Sequence, residues 1–271
     1  MGKPAQSKFK GRARLMPVLA SVLVLGACAT SEGPQSTVNP ASLGVSAGES
    51  GNPIADAAYW GGQYEQNPGD AETAAKYGAS LRQLKSFEQA MTVLSVAARQ
   101  HPDHAGIMAE YGKVMVAAGQ GTKAIPVLVK AATLNPSDWR VLAAQGVAYD
   151  QQGQHSEAQM KYRSALKLAP DHPSILTNLG LSQALAGELV EAEQTLRRAV
   201  SNPSAGAKAR QNLSLVLGLK GDFDEAARLA KADLPPNVVS NNIDYIRSML
   251  VQPALWKQME QLDAPIDTQI Q

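Results

Sequence analysis

The chain has 271 residues, of which 44% are hydrophobic and 18% charged, and its formal net charge is +1 at pH 7. Five basic residues and no acidic one fall in the first 27 positions, so the remainder carries 20 basic against 24 acidic residues, a balance of −4. That balance argues against a nucleic-acid-binding surface, and the single cysteine excludes a disulfide within the chain.

The N-terminus has the parts of a secretory signal peptide. A basic segment that ends at Arg14 precedes an apolar run over residues 15–25, and the motif Leu-Gly-Ala-Cys ends at Cys28. The apolar run is too short to span a bilayer. The motif resembles the bacterial lipobox, which implies a lipoprotein signal peptide at residues 1–27 and acylation of Cys28. An ordinary secreted protein with an unpaired cysteine is the alternative.

The lipobox resemblance also implies a location. Ala29, rather than an aspartate, follows the cysteine, and in lipoproteins this points to the outer membrane, with the protein facing the periplasm. Acyl chains on Cys28 would form a stable membrane anchor. The next residues are rich in Ser, Gly, Pro and Thr, so residues 28–52 are predicted to be an acylated, disordered linker.

A repeat with a period of about 34 dominates the rest of the chain. Small residues recur at this spacing, which lets two antiparallel helices approach closely. They are Gly78, Gly112, Gly146 and Gly180, and Ala90, Ala124, Ala158, Ala192 and Ala226. A second glycine column suits the turn between the helices, and a proline column ends each second helix. These columns are Gly119, Gly153, Gly187 and Gly221, and Pro68, Pro102, Pro136 and Pro170.

This period and pattern are the signature of the tetratricopeptide repeat (TPR). One repeat cannot bury its own apolar face, so neighbouring repeats stack. We therefore predict an all-α fold, a right-handed α-solenoid over residues 53–252. It should hold about five repeats with flanking half-repeat helices at 53–67 and 237–251, followed by a C-terminal tail at 253–271. The last repeat departs from the pattern. Ser214 replaces the glycine, and Asp233 replaces the alanine of a further column, which is Ala97, Ala131, Ala165 and Ala199.

The histidines do not form a convincing metal site. His101, His104 and His172 lie in turns between repeats, and His104 is two repeats away from His172. Such turns need short polar residues that cap the next helix. Four aspartates are predicted to do so: Asp70, Asp103, Asp138 and Asp171. The sequence also has no Gly-rich phosphate loop and no Ser-centred nucleophile elbow. We predict no enzyme activity, cofactor, metal or small-molecule substrate.

The first helix of each TPR unit lines the concave surface, which is the candidate binding site. Its predicted wall is mostly small and apolar with a few polar points, which suits an amphipathic helix or an extended peptide. The predicted groove residues are Arg82, Lys113, Arg140, Val147, Asp150, Asn178, Leu181, Asn212 and Leu215. Asn178 and Asn212 lie one repeat apart at the same place and could bond a peptide backbone. Alternatively, each fixes a neighbouring loop or helix end.

Several segments carry a more specific likeness. They are residues 60–68, Asn178-Leu-Gly-Leu-Ser, residues 210–221, and Asp233-Leu-Pro-Pro with Asn242-Ile-Asp-Tyr-Ile. Over about residues 54–250 the chain resembles the TadD family of Tad (tight adherence, Flp) pilus assembly lipoproteins. That resemblance implies a non-enzymatic scaffold that helps the pilus secretin to localise or assemble, in the manner of a pilotin, with the secretin or other Tad components as protein partners.

Two other functions compete with this one. The first is a generic TPR lipoprotein for another envelope assembly, such as a type IV pilus secretin or outer-membrane protein insertion. The second is an envelope enzyme subunit in which the repeats only dock a catalytic partner. Neighbouring genes would discriminate, because a Flp prepilin, a secretin and a secretion ATPase favour the Tad function.

Overall fold

A computed structural model describes the backbone of residues 50–262 and the side chains of residues 50–251. This part is all-helical, as predicted. The predictions for the signal peptide, for Cys28, for the linker up to residue 49 and for residues 263–271 lie outside the described residues.

The described range contains twelve helices. They are α1 (Pro53–Gln66), α2 (Ala71–Gln83), α3 (Phe87–Gln100), α4 (Ala105–Ala117), α5 (Gly121–Leu134), α6 (Trp139–Asp150), α7 (His155–Leu168), α8 (Pro173–Leu185), α9 (Leu189–Ser201), α10 (Ala207–Lys220), α11 (Phe223–Ala230) and α12 (Pro236–Leu262).

Helices α2 to α11 form five consecutive pairs, which we call repeats 1 to 5. Within each pair the two helices pack on each other, and each second helix packs on the first helix of the next pair. The first helices of neighbouring repeats also touch. Each repeat therefore contacts its neighbours along the chain, which is the arrangement of a solenoid. Helices α1 and α12 flank the array, and α12 continues through the predicted boundary between residues 252 and 253.

The glycine column marks the place where the two helices of a repeat come closest. A Cβ atom added at Gly146 would lie 2.7 Å from Cδ1 of Tyr162, and one added at Gly112 would lie 2.5 Å from Leu128. The same holds between Gly78 and Leu94 and between Gly180 and Leu196. The bulky partners follow their glycines at a constant interval and are at most 1% exposed. Glycine is required here because no side chain fits.

Repeat 5 solves the same packing problem with other residues. Ser214 stands in the glycine column, and Ala230 replaces the bulky partner, so the space that the smaller Ala230 vacates admits the serine side chain. The Ser214 hydroxyl donates a hydrogen bond to the Ala226 carbonyl over 2.8 Å. Asp233, which replaces alanine, accepts two hydrogen bonds from Arg210, at 2.8 and 2.5 Å. Both departures from the repeat pattern are therefore compensated.

The turn column behaves as predicted. Gly119, Gly153, Gly187 and Gly221 all have φ between +71° and +92°. In repeat 1 the same place is occupied by Lys85, which also has a positive φ of 60°. A residue in the left-handed region just after a helix is the usual way to end that helix, and glycine adopts it without a Cβ penalty.

Asp150 joins repeats 3 and 4. One oxygen of its carboxylate lies 2.9 Å from His155 Nδ1 and accepts a hydrogen bond from the Ser182 hydroxyl at 2.7 Å. The other oxygen accepts a hydrogen bond from the Tyr162 hydroxyl at 2.9 Å. Tyr162 is 1% exposed. Burial, followed by the charge of Asp150, raises the pKa of this phenol, so it stays protonated and donates.

We expect Gly146→Ala to lower the free energy of unfolding by about 1–3 kcal/mol, because the new methyl group overpacks against the buried Tyr162 ring. Chemical denaturation followed by circular dichroism measures this. The matched control is Gly62→Ala in α1, where nothing lies within 4 Å of the added Cβ. The control should gain about 0.5–1 kcal/mol from helix propensity. Equal behaviour of the two variants would contradict the assigned helix crossing.

We expect Asp150→Ala to cost about 2–3 kcal/mol of unfolding free energy, because it leaves the buried Tyr162 hydroxyl without its acceptor. The same denaturation experiment applies. Asp103→Ala is the matched control, since Asp103 is 80% exposed and pairs with Lys130 at the surface. Its cost should stay below about 1 kcal/mol. A loss in Asp150→Ala as small as that expected for the control would show that the hydrogen bonds of Asp150 contribute little to stability.

Candidate peptide-binding groove

The first helices of the repeats carry all nine predicted groove residues. The structure separates these residues by burial. Val147, Leu181 and Leu215 are half-buried, and Arg140 is exposed. Several of the small residues beside them are covered by the neighbouring helices instead: Ala75, Ala109 and Thr177 are only 4–6% exposed. The accessible wall is therefore narrower than the sequence pattern alone predicts.

Repeats 3 to 5 carry an apolar ladder, defined by Val147, Leu181 and Leu215. These residues recur once per repeat and occupy the same place on α6, α8 and α10. The equivalent residues in repeats 1 and 2 are Ala79 and Lys113, so the ladder begins only at repeat 3. Partial exposure of three branched side chains in register provides apolar surface that a bound segment would remove from water.

In repeats 1 and 2 the same surface is ionic. The Arg82 guanidinium lies 3.1 Å from one oxygen of Glu110, and the Lys113 ammonium lies 2.5 Å from the other. Arg82, Glu110 and Lys113 are only 28%, 15% and 16% exposed. Glu110, which the sequence pattern did not single out, therefore satisfies both predicted cations. In repeats 1 and 2 the charged groups of this surface are therefore already paired with one another.

The two asparagines differ despite their common place in the repeat. The Asn178 side-chain oxygen accepts a hydrogen bond from the Lys208 ammonium at 3.3 Å, and both residues are accessible. Asn212 is 3% exposed, and its side-chain nitrogen has no hydrogen-bond partner among the described residues. Asn178 is therefore accessible to a partner, whereas Asn212 is buried.

Two cations flank the ladder. The Arg140 guanidinium stacks over the Trp139 ring at 4.5 Å, and that ring contacts the His172 ring, with centroids 4.2 Å apart. Lys208 lies two repeats after Arg140 in the same column. The repeat spacing from Arg140 is thus the signal that could have identified Lys208 from the sequence. Asp150, in contrast, is held by hydrogen bonds between repeats 3 and 4, so it is not a free groove group.

The histidines have structural contacts. His104 caps α4, because its Nδ1 accepts a hydrogen bond from the Ile107 amide at 3.2 Å. His172, rather than Asp171, is the N-cap residue of α8. The prediction that Asp103 and Asp171 cap these helices is therefore wrong, since each helix begins one residue later. The other two predicted aspartates, Asp70 and Asp138, do cap α2 and α6. No group of three potential metal ligands occurs among the described residues.

Charge pairs tie the C-terminal repeats together outside the groove. Hydrogen bonds from Lys220 and Arg197 lower the pKa of Glu193. A hydrogen bond from Arg210 likewise lowers the pKa of Asp233. These carboxylates stay ionised at neutral pH and act as structural anions.

Among the residues that the structure describes, no helix has both the length and the apolar character that a bilayer crossing requires.

Comparison with known proteins supports this architecture. Residues 143–209 match the model of the tetratricopeptide repeat family. TTC0263, a thermophilic TPR protein in Thermus thermophilus, is similar with a TM-score of 0.55 and 21% identity, covering 62% of this chain and 91% of that one. The APC/C hetero-tetramer Cut9-Hcn1 is similar with a TM-score of 0.62 and 18% identity, and the match covers 78% of this chain and 41% of that one. MamA from Desulfovibrio magneticus RS-1 has a TM-score of 0.49 and 22% identity, and the match covers 56% of this chain and 85% of that one.

No curated protein matches this chain. At these identities the two structures with TM-scores of 0.55 and 0.62 establish the fold and nothing finer. The accessible part of the predicted groove includes the apolar ladder of Val147, Leu181 and Leu215. Residues 143–209 thus match the TPR family, and the helix pairs around them continue the same solenoid architecture.

Proposed function

We propose that the protein is an outer-membrane lipoprotein of the periplasm that supports assembly of the Tad/Flp pilus machinery. In this function its solenoid holds a segment of the outer-membrane secretin, or of another Tad component, in a pilotin-like manner. The resemblance of residues 54–250 to the TadD family supports the choice of machine. The lipobox-like motif at Cys28 supports the choice of membrane.

The apolar ladder is the observation that carries the binding function. Val147, Leu181 and Leu215 lie in register on three successive first helices, without the ion pairs that close repeats 1 and 2. An amphipathic helix or an extended segment could place apolar side chains along such a ladder. Asn178 and Lys208, at the edge of the ladder, offer hydrogen-bonding groups that orient the backbone of the segment.

Deletion of the gene tests the proposed machine. Cells without the protein should lose Flp pili and should show less secretin multimer in outer-membrane fractions, and the wild-type gene should restore both. Normal secretin multimers and normal pili in the deletion strain would reject the Tad function. Loss of a different envelope complex would instead favour the generic TPR lipoprotein.

We expect the double variant Leu181→Ser with Leu215→Ser to bind the secretin partner at least about tenfold more weakly. Burying a leucine contributes about 1.5–3 kcal/mol, and tenfold corresponds to about 1.4 kcal/mol. Co-purification of the secretin from detergent-solubilised envelopes, followed by titration with the purified partner, measures the change.

The matched control for the ladder is Met160→Ser with Val190→Ser. These apolar side chains are 57% and 54% exposed and lie on second helices, away from the ladder. The control should bind as the wild type does. Equal weakening in both double variants would place the binding surface elsewhere, and unfolding of the ladder variant would be visible by circular dichroism.

We expect Cys28→Ala to remove the membrane anchor, because the acyl chains that hold the protein in the bilayer need the Cys28 thiol. The variant should lack acyl chains by mass spectrometry and should leave the outer-membrane fraction. Ser31→Ala, three positions further on, is the control and should stay in the membrane. A Cys28→Ala protein that still needs detergent for extraction would refute the lipoprotein assignment.

A further inference from the structure

The N-terminal end of the solenoid contains an open cleft of about 280 Å³ between α1 and α2. On the α2 side it is lined by Lys76, Ala79, Ser80 and Gln83. Three of these places have equivalents in later repeats whose contacts are known. The contacts of those equivalent residues indicate which structural element would fit the cleft.

For each of Lys76, Ser80 and Gln83, the equivalent in one later repeat contacts the preceding first helix. The equivalent of Lys76 is Glu110, which pairs with Arg82 of repeat 1. The equivalent of Ser80 is Ser182, which bonds Asp150 of repeat 3. The equivalent of Gln83 is Gln151, whose side chain donates to the Val116 carbonyl of repeat 2 at 2.8 Å. The cleft therefore lies where α2 would receive a preceding first helix.

The α1 side of the cleft leads to the same conclusion. It is lined by Gly51, Asp56 and Trp60. Trp60 stands one repeat before Leu94 in the bulky column, and that column packs against the first helix of its own repeat. Leu94 is 0% exposed, whereas Trp60 remains partly exposed. Helix α1 is thus a second helix, and its bulky residue faces the cleft.

Gly51 has the left-handed backbone conformation that follows the first helix in the repeats. Its φ is +74°, and it lies two repeats before Gly119 in the turn column. In every repeat of that column the left-handed residue closely follows a first helix. The backbone amide and the hydroxyl of Ser50 both donate to Asp56 at 2.8 Å, so the chain enters α1 beside the cleft.

The sequence before Ser50 contains the residues that such a helix needs. Gly44 precedes Trp60 by the same interval that separates each glycine of the column from its bulky partner. Leu43 and Val45 flank it and fall in the columns of Leu179 and Leu181. The dipeptide Asn39-Pro40 repeats Asn52-Pro53, in which the asparagine caps α1 and the proline begins it.

We propose that residues 39–49 dock in this cleft as the first helix of an additional repeat, with α1 as its second helix. The large Trp60 ring compensates for the small residues Gly44, Ala47 and Gly48, just as the small Ala230 compensates for Ser214 in repeat 5. The glycines disfavour an isolated helix, so this segment forms its helix on the cleft. If Cys28 is acylated, the flexible linker between this residue and the docked helix would be about ten residues long, with an r.m.s. end-to-end distance of about 16–19 Å.

Hydrogen exchange of the full mature chain, read by mass spectrometry, tests the docking. Amides of residues 43–49 should exchange at least about tenfold more slowly than those of residues 29–36. Leu43→Asp should abolish this protection. Ser42→Asp is the matched control and should retain it, because the column of Ser42 holds the polar residues Glu110 and Asn178. Unchanged protection of α2 to α11 verifies that each variant is folded.

Three results would overturn the proposal. The first is wild-type exchange of residues 43–49 as fast as that of residues 29–36. The second is protection that appears only at concentrations where light scattering detects a dimer, which would assign the cleft to a second copy of the chain. The third is protection that requires an added envelope protein, which would assign it to a partner. The docking does not depend on the proposed pilus function, and its failure would leave that function standing.

Discussion

The close approach of two helices at a glycine is the contact on which the solenoid depends. In repeats 1 to 4 a bulky side chain of the second helix rests directly on the backbone of the first, with no room for a methyl group. This contact fixes how the helices of a pair cross, and the crossing sets which residues reach the next pair. Since the same contact recurs at a constant spacing, the repeats stack in one regular array.

Polar groups complete the packing that the apolar contacts establish. Asp150 gathers three polar contacts from two repeats, and the pair of Arg210 with Asp233 replaces a small apolar contact in repeat 5. Helix α12 flanks the last repeat and carries Asp244 and Arg247, which are 66% and 54% exposed. The Arg247 guanidinium also lies 4.5 Å from the centroid of the Phe223 ring, so it joins α12 to repeat 5 while much of its side chain stays in water.

The two halves of the inner surface have different chemistry. Repeats 1 and 2 neutralise their own cations with Glu110, whereas repeats 3 to 5 leave an apolar ladder partly exposed. A partner segment gains little by displacing ion pairs that are already formed, because it must replace the interactions that it breaks. Removal of partly exposed leucine surface from water is favourable without such a loss. Binding is therefore expected in the C-terminal half of the groove.

The sequence alone predicted the helix pairs, their turns and the sites of closest packing, because each depends on residues close together in the chain. Gly146, Gly153 and Tyr162 had the expected roles, since small size and positive φ are properties of the residue itself. Which polar side chains remain available was decided by tertiary structure. Asp150 and Asn212 share columns with accessible residues, yet side chains of repeats 3 and 4 hold Asp150 and Asn212 is only 3% exposed. Burial depends on what packs from outside the repeat, and a residue's place in its own helix does not encode that.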